Sequence, residues 1–128
     1  MFKKLALAIL SATAISTPCM AVTINNSLQS WATIEYELQP NEAQVFSNYM
    51  FWPVEANCKI STEDDNNVLH AVALTKKGKL NDIPWIKGDT LRLTIHHGET
   101  LKINADPGAQ VSITNEGLHA VKATCIGG

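Results

Sequence analysis

The feature that most constrains the fold is a strict alternation of apolar and polar residues in the second half of the chain. Apolar residues take every second position in four runs: Leu91, Leu93 and Ile95; Leu101, Ile103 and Ala105; Val111 and Ile113; and Val121, Ala123 and Cys125. A period of two places alternate side chains on opposite faces of an extended chain. Each run therefore predicts a strand with one buried face.

The first half of the chain carries the same signal less continuously. Alternating runs cover residues 32–38 and 54–60, and residues 68–74 form a nearly continuous apolar stretch. Polar segments separate them, among them an acidic loop over residues 61–67 and a lysine-rich turn over residues 76–79. The alternation and the short spacing leave little room for helix, so the sequence predicts an all-β protein.

Glycine-containing turns follow three of the later runs, at residues 97–98, 106–108 and 115–117. Glycine supplies the positive φ angle that tight turns require, so we expect hairpins there. About seven to eight short strands bury one face each most simply in an antiparallel two-sheet β-sandwich, either immunoglobulin-like or jelly-roll-like. A small β-barrel is the alternative.

Residues 1–21 have the pattern of a cleavable signal peptide. Lys3 and Lys4 precede an apolar run of about eleven residues, and Cys19-Met20-Ala21 resembles a signal-peptidase site, so we expect cleavage after Ala21. The run is about half the length that a transmembrane helix needs, and no transmembrane anchor is expected. The remaining residues, 22–128, are expected to form a single β-sandwich domain that is periplasmic or secreted.

Charge and cysteine content agree with an exported protein. Loss of Lys3 and Lys4 leaves eight of the ten basic side chains against twelve acidic ones, which argues against a nucleic-acid partner. The two cysteines beyond the leader, Cys58 and Cys125, predict one disulfide that ties a middle strand to the last one, as in immunoglobulin-like sandwiches.

The segment His96-His97-Gly98-Glu99 is the main candidate for metal or acid-base chemistry. Consecutive residues of an extended chain point to opposite faces, which favours a hairpin turn over a metal site. A zinc site built on His96, His97 and Glu99 is the weaker alternative, with His70 or His119 as a further ligand. We otherwise expect His70 and His119 in the core, and no metal or other cofactor.

Aromatic residues are concentrated in one segment. Four of the seven that follow the leader lie within residues 46–52, and Met50 lies among them. Packing at the end of the sandwich is the simpler interpretation. A recognition surface formed by Tyr49, Met50, Phe51 and Trp52, extended by Trp31, is the alternative. Trp85, which follows Pro84, is expected in a loop and is a weaker candidate.

Catalytic motifs are missing from the sequence, which has neither a nucleophile elbow nor an H-E-x-x-H helix. We therefore expect a non-enzymatic, exported bacterial binding protein that recognises a protein or carbohydrate partner through the aromatic residues. An envelope structural or assembly subunit is the alternative, and a small metal-dependent hydrolase is a weaker one. The pattern does not predict an oligomeric state.

Overall fold

The computed structural model describes residues 24–127 of the 128-residue chain, so the expected leader and its cleavage point lie outside the described residues. The described part is all-β, with no helix. It contains eleven strands: β1 (Ile24–Leu28), β2 (Thr33–Leu38), β3 (Ala43–Asn48), β4 (Val54–Thr62), β5 (Asn67–Thr75), β6 (Lys77–Leu80), β7 (Ile83–Ile86), β8 (Thr90–Ile95), β9 (Thr100–Ala105), β10 (Gln110–Asn115) and β11 (Val121–Gly127).

The strands form two sheets that pack face to face as a sandwich. The five-stranded sheet has the order β1-β3-β10-β5-β8, and the six-stranded sheet has the order β2-β11-β4-β9-β6-β7. Neighbouring strands are antiparallel except for β1 and β3, which run parallel. Each sheet ends in strands that have a single partner, so the sheets do not close and the barrel alternative is wrong.

Strands β3 to β10 pair in a nested order. β3 pairs with β10, β4 with β9, β5 with β8, and β6 with β7, alternately in the five-stranded and the six-stranded sheet. The other three strands extend the sheets: β1 pairs with β3, β11 pairs with β4, and β2 pairs with β11 at the sheet edge. The chain from β3 to β10 therefore resembles one long hairpin, and its successive strand pairs belong alternately to the two sheets.

The prediction of hairpins at residues 97–98, 106–108 and 115–117 was wrong. Each of these turns carries the chain from one sheet to the other, and within residues 24–127 only β6 and β7 form a two-strand hairpin. Turn residues show where a chain reverses, but not whether the next strand pairs with its predecessor or crosses to the facing sheet. Both arrangements bury the same alternate side chains.

The alternation itself is confirmed by the burial of side chains. On β4, Val54, Ala56, Cys58 and Ile60 are buried, and the inward residues of both sheets form one apolar cluster. β3 was missed because its buried residues include polar ones. Those residues are paired: Gln44 Nε2 donates to the Glu37 carbonyl at 2.6 Å.

Two further expectations fail around β6 and β7. Of the lysine-rich segment predicted as a turn, only Lys76 lies outside a strand, and β6 pairs with both β7 and β9. Trp85 lies in β7 and is 3% exposed, so it belongs to the core and not to a loop. Alternation over four residues is too short to distinguish such strands from turns.

The disulfide between Cys58 and Cys125 is confirmed. The two residues lie directly opposite each other on β4 and β11, with their Cα atoms 3.9 Å apart. The bond thus ties a middle strand to the last strand, as predicted, but it joins neighbours in one sheet. The comparison with immunoglobulin-like sandwiches, in which the bond links the two sheets, does not hold.

Candidate functional site

Four aromatic side chains at one end of the sandwich are exposed, and we call Trp31, Tyr49, Phe51 and Trp52 the aromatic surface. Their exposed fractions are 85%, 64%, 94% and 46%. Met50 is half-buried and packs against the core. Phe46 is buried and makes an edge-to-face contact with Tyr36 at a centroid distance of 5.1 Å. The packing interpretation therefore holds for Phe46 and fails for the other three aromatics of its segment.

The buried Asn48 holds the loop that carries three of these aromatics. Its Oδ1 accepts a hydrogen bond from the Met50 amide at 2.8 Å, and its Nδ2 donates to the Trp52 carbonyl at 2.9 Å. The same Nδ2 donates to the Ala105 carbonyl at 2.9 Å, which anchors the loop to β9. Asn48 is fully buried. A short polar side chain that bonds its own following backbone stabilises a turn, so residues 49–53 bend instead of extending β3.

This bend changes which side chains face solvent. In an extended segment Tyr49 and Phe51 would point opposite to Met50 and Trp52. In the bend, Met50 alone packs inward, while Tyr49, Phe51 and Trp52 face solvent. The loop therefore presents three aromatic side chains on a backbone fixed by one buried asparagine.

Trp31 lies on the neighbouring turn between β1 and β2. Trp52 Nε1 donates a hydrogen bond to Ser30 Oγ at 3.1 Å, which joins this turn to the aromatic loop. The Trp31 amide donates to the Gly127 carbonyl at 2.8 Å, and the Gly127 amide donates to the Ala32 carbonyl at 3.0 Å. A Cβ at Gly127 would overlap the Gln29 carbonyl oxygen. Glycine at 127 thus permits the close approach that fixes the turn.

The backbone of Trp31 is strained. Its φ angle is 56°, in the left-handed region that side chains with a Cβ adopt at a cost of roughly 1 kcal/mol. Trp31 is one of five described residues other than glycine with a positive φ angle, and it is the only one of the five in the aromatic surface. The surrounding hydrogen bonds must hold this strain. The sequence signal for Trp31 was its position out of phase with β2. Asn48 and Gly127 carried no recognisable signal, since their roles depend on contacts between distant segments.

The histidine segment does not assemble a metal site. Glu99 Oε1 accepts a hydrogen bond from the His96 amide at 2.7 Å and lies 3.4 Å from His96 Nδ1. His97 Nδ1 instead accepts from the Thr62 amide at 3.2 Å. Within residues 24–127 no three His, Cys, Asp or Glu side chains form a group that could hold a metal ion. The two histidines therefore have separate structural partners.

His119 is exposed, which corrects the expectation of a core position. Its Nδ1 lies 2.8 Å from Asp64 Oδ1, so it links the loop after β10 to the loop after β4. The hydrogen bond and charge of Asp64 raise the pKa of His119 above its ordinary value. His70 is half-buried on β5, opposite Arg92 and Thr114 of the neighbouring strands. Neither histidine lies in the apolar core.

Comparison of the chain with protein-family models, with curated proteins and with solved structures finds no match. The described residues contain no helix of the length and hydropathy that crossing a membrane requires.

Proposed function

We propose that the protein is an exported, non-enzymatic binding protein that recognises a protein partner outside the cytoplasm through the aromatic surface. The observation that carries this proposal is the combination of exposure and rigidity. Trp31 and Phe51 are 85% and 94% exposed, yet the backbone that carries them is held by hydrogen bonds to two buried residues, Asn48 and Gly127. Exposed apolar side chains of this size, clustered at one place, are typical of interaction sites.

A protein partner suits this surface better than a glycan does. Residues 49–53 contain no charged or amide side chain, the neighbouring turn supplies one exposed amide, that of Gln29, and the Ser30 hydroxyl already accepts a hydrogen bond from Trp52. A sugar site needs such groups to orient hydroxyls. Protruding Trp, Tyr and Phe side chains instead act as anchors that fill apolar pockets of a protein partner. A fixed loop also loses little conformational entropy on binding.

Export is part of the proposal and has two supports. The leader-like segment over residues 1–21 has the charge, apolar run and cleavage pattern of a signal peptide. The Cys58–Cys125 disulfide is compatible with an oxidising compartment such as a periplasm or the extracellular space.

We assign strands β3 to β10 to the jelly-roll class of sandwich. The support is that these eight consecutive strands pair in a nested order and contribute four strands to each sheet. Strands β1, β2 and β11 lie outside this pattern. Jelly rolls have eight strands in two sheets, whereas immunoglobulin-like domains have a different order and an inter-sheet disulfide.

The experiment is a selection of peptides from a random library displayed on phage, with the purified protein as bait. Peptides retained by the unmodified protein should lose most of their binding to Phe51→Ala and Trp31→Ala. Leu118→Ala is the matched control, because Leu118 is 86% exposed but lies in the loop after β10. Equal binding to all three variants, or no enriched peptide, contradicts the proposal.

Self-assembly is the competing function, since four edge strands have one partner each. Extended edges are sites where copies of a chain can pair. Concentration-dependent association that survives Phe51→Ala would favour an assembly subunit over a binding protein.

A further inference from the structure

A cavity of about 540 Å³ lies on the outer face of the six-stranded sheet. Outward-facing residues of three neighbouring strands, β11, β4 and β9, form its floor, and the turn between β8 and β9 forms one wall. The volume lies within the range of small-molecule sites. None of the four residues of the aromatic surface lines this cavity, so it is separate from the proposed protein-binding surface.

Hydrogen bonds to β4 hold the wall of the cavity in place. The Gly98 amide donates to the Ile60 carbonyl at 2.8 Å, and the Ile60 amide donates to the Glu99 carbonyl at 2.8 Å. His97, which lines the cavity, accepts through Nδ1 from the Thr62 amide at 3.2 Å. Because Nδ1 is the acceptor, Nε2 carries the proton of the ring. The wall is therefore built before a ligand arrives, and a fixed site loses little conformational entropy on binding.

Lys59 lies in the middle of the cavity floor. Thr124 of β11 and Thr100 of β9 are directly opposite Lys59 on the two neighbouring strands, and all three residues are exposed. Residues opposite each other in a sheet have Cβ atoms about 5 Å apart, so the lysine has a hydroxyl group on each side. An ammonium group and two hydroxyls can all donate hydrogen bonds. This row of three side chains therefore suits a ligand that accepts hydrogen bonds and carries negative charge.

The charge of Lys59 is not neutralised by the protein. Lys59 has no ion-pair partner among the residues that the structure describes. Carboxylates elsewhere on the same face are paired with other lysines: Lys122 Nζ lies 3.8 Å from Glu35 Oε2, and Lys102 Nζ lies 3.9 Å from Glu55 Oε2. None of the side chains that line the cavity is acidic, although the chain has twelve acidic side chains against ten basic ones. The cavity is thus a positive site in an acidic protein.

We propose that this cavity binds a small organic acid, whose carboxylate pairs with Lys59 and accepts hydrogen bonds from Thr100 and Thr124. Hydrogen bonds to charged groups are about twice as strong as those between neutral groups. Ile126 lines the same cavity and is 59% exposed, so it offers an apolar contact for the body of the acid. One lysine matches the single charge of a carboxylate, whereas a phosphate ester carries about two negative charges at neutral pH.

An amide chemical-shift titration of the isotope-labelled protein tests this proposal, with benzoate and octanoate as the probes at constant ionic strength. We expect saturable shifts at Lys59, Thr100 and Thr124 with at least one probe. Benzamide, which has the same ring as benzoate but no charge, should give no saturable shift there. Lys59→Gln should weaken binding of the probe about fivefold, because it removes the ion pair.

Lys79→Gln is the matched control, because Lys79 is an exposed lysine of the same sheet outside this cavity. It should leave the saturation midpoint nearly unchanged, whereas Thr124→Val, which removes a hydroxyl at constant size, should weaken binding. No saturable shift with either probe, an equal effect of Lys59→Gln and Lys79→Gln, or equal binding of benzoate and benzamide would overturn the proposal. Phe51→Ala should not change the midpoint, so failure of the carboxylate site leaves the proposed protein partner unaffected.

Discussion

Trp52 Nε1 donates a hydrogen bond to Ser30 Oγ across 22 positions of sequence. This bond joins the turn that carries Trp31 to the loop that carries Tyr49 and Phe51. The Asn48 side chain holds the loop through its hydrogen bond to the Trp52 carbonyl, and the Gly127 carbonyl holds the turn by accepting a hydrogen bond from the Trp31 amide. The aromatic surface is therefore a single, held arrangement of side chains from two distant segments.

Replacing Asn48 by alanine should destabilise the protein and release the aromatic loop. The change removes three hydrogen bonds and leaves the Met50 amide and the Trp52 and Ala105 carbonyls without their partner. We expect a loss of about 2 to 4 kcal/mol in the free energy of unfolding, measured by denaturant titration. The Met50 amide should also exchange faster with solvent. Asn57→Ala, an exposed change on β4, should cost less than about 0.5 kcal/mol. Equal losses for the two variants would contradict the role of Asn48.

Because the backbone of Trp31 is strained, a glycine variant at this position should be more stable than an alanine variant, the reverse of the usual order. At a φ angle of 56°, glycine is favoured over alanine, so Trp31→Gly should be more stable than Trp31→Ala by about 1 kcal/mol. Tyr49, which has no positive φ angle, is the control: there the alanine variant should be the more stable of the pair. Thermal unfolding of the four variants measures both differences. Alanine favoured at both positions would show that the turn is unstrained.

Removal of the disulfide should cost much of the stability of this domain. Cys58 and Cys125 are 67 positions apart, and closing a loop of that length contributes about 4 kcal/mol in the chain-entropy model. Cys58→Ala/Cys125→Ala should therefore lower the free energy of unfolding by about that amount. Each single variant should lose a similar amount, since either change breaks the bond. A loss below about 1 kcal/mol would mean that neighbouring-strand contacts alone hold β4 to β11.

The His119–Asp64 pair should make stability depend on pH. The pKa of His119 is raised above 6.5, first by its hydrogen bond to Asp64 and then by the Asp64 and Glu63 charges. A raised pKa in the folded state means that the pair stabilises fully below the unfolded pKa, and the contribution disappears as pH rises through the folded pKa. Titration of the His119 ring by NMR should give a lower pKa in Asp64→Asn than in the unmodified protein. Asp65→Asn is the control and should leave the His119 pKa nearly unchanged.

Sequence patterns predicted the strands whose alternate residues are apolar and the bond between Cys58 and Cys125. They did not predict β3, because the buried Gln44, Ser47 and Asn48 look like loop residues until their distant partners are known. They also mistook the turn at Gly98 for a hairpin, since local chemistry does not distinguish pairing from crossing to the facing sheet. Long-range contacts decide both features.

The candidate site was predictable in composition but not in geometry. The concentration of aromatics at residues 46–52 was visible, whereas the exposure of Phe51 depends on the bend that Asn48 imposes, and Phe46 is buried on β3 against Tyr36.

The measurement that tests the central claim most directly is an amide chemical-shift titration of the isotope-labelled protein with a peptide selected on it from the phage library. We predict saturable shifts confined to residues 29–32 and 49–53, which Phe51→Ala abolishes and Leu118→Ala leaves intact. Shifts that map elsewhere, for example to the edge strands β7 or β8, or that persist in Phe51→Ala, would contradict recognition through the aromatic surface.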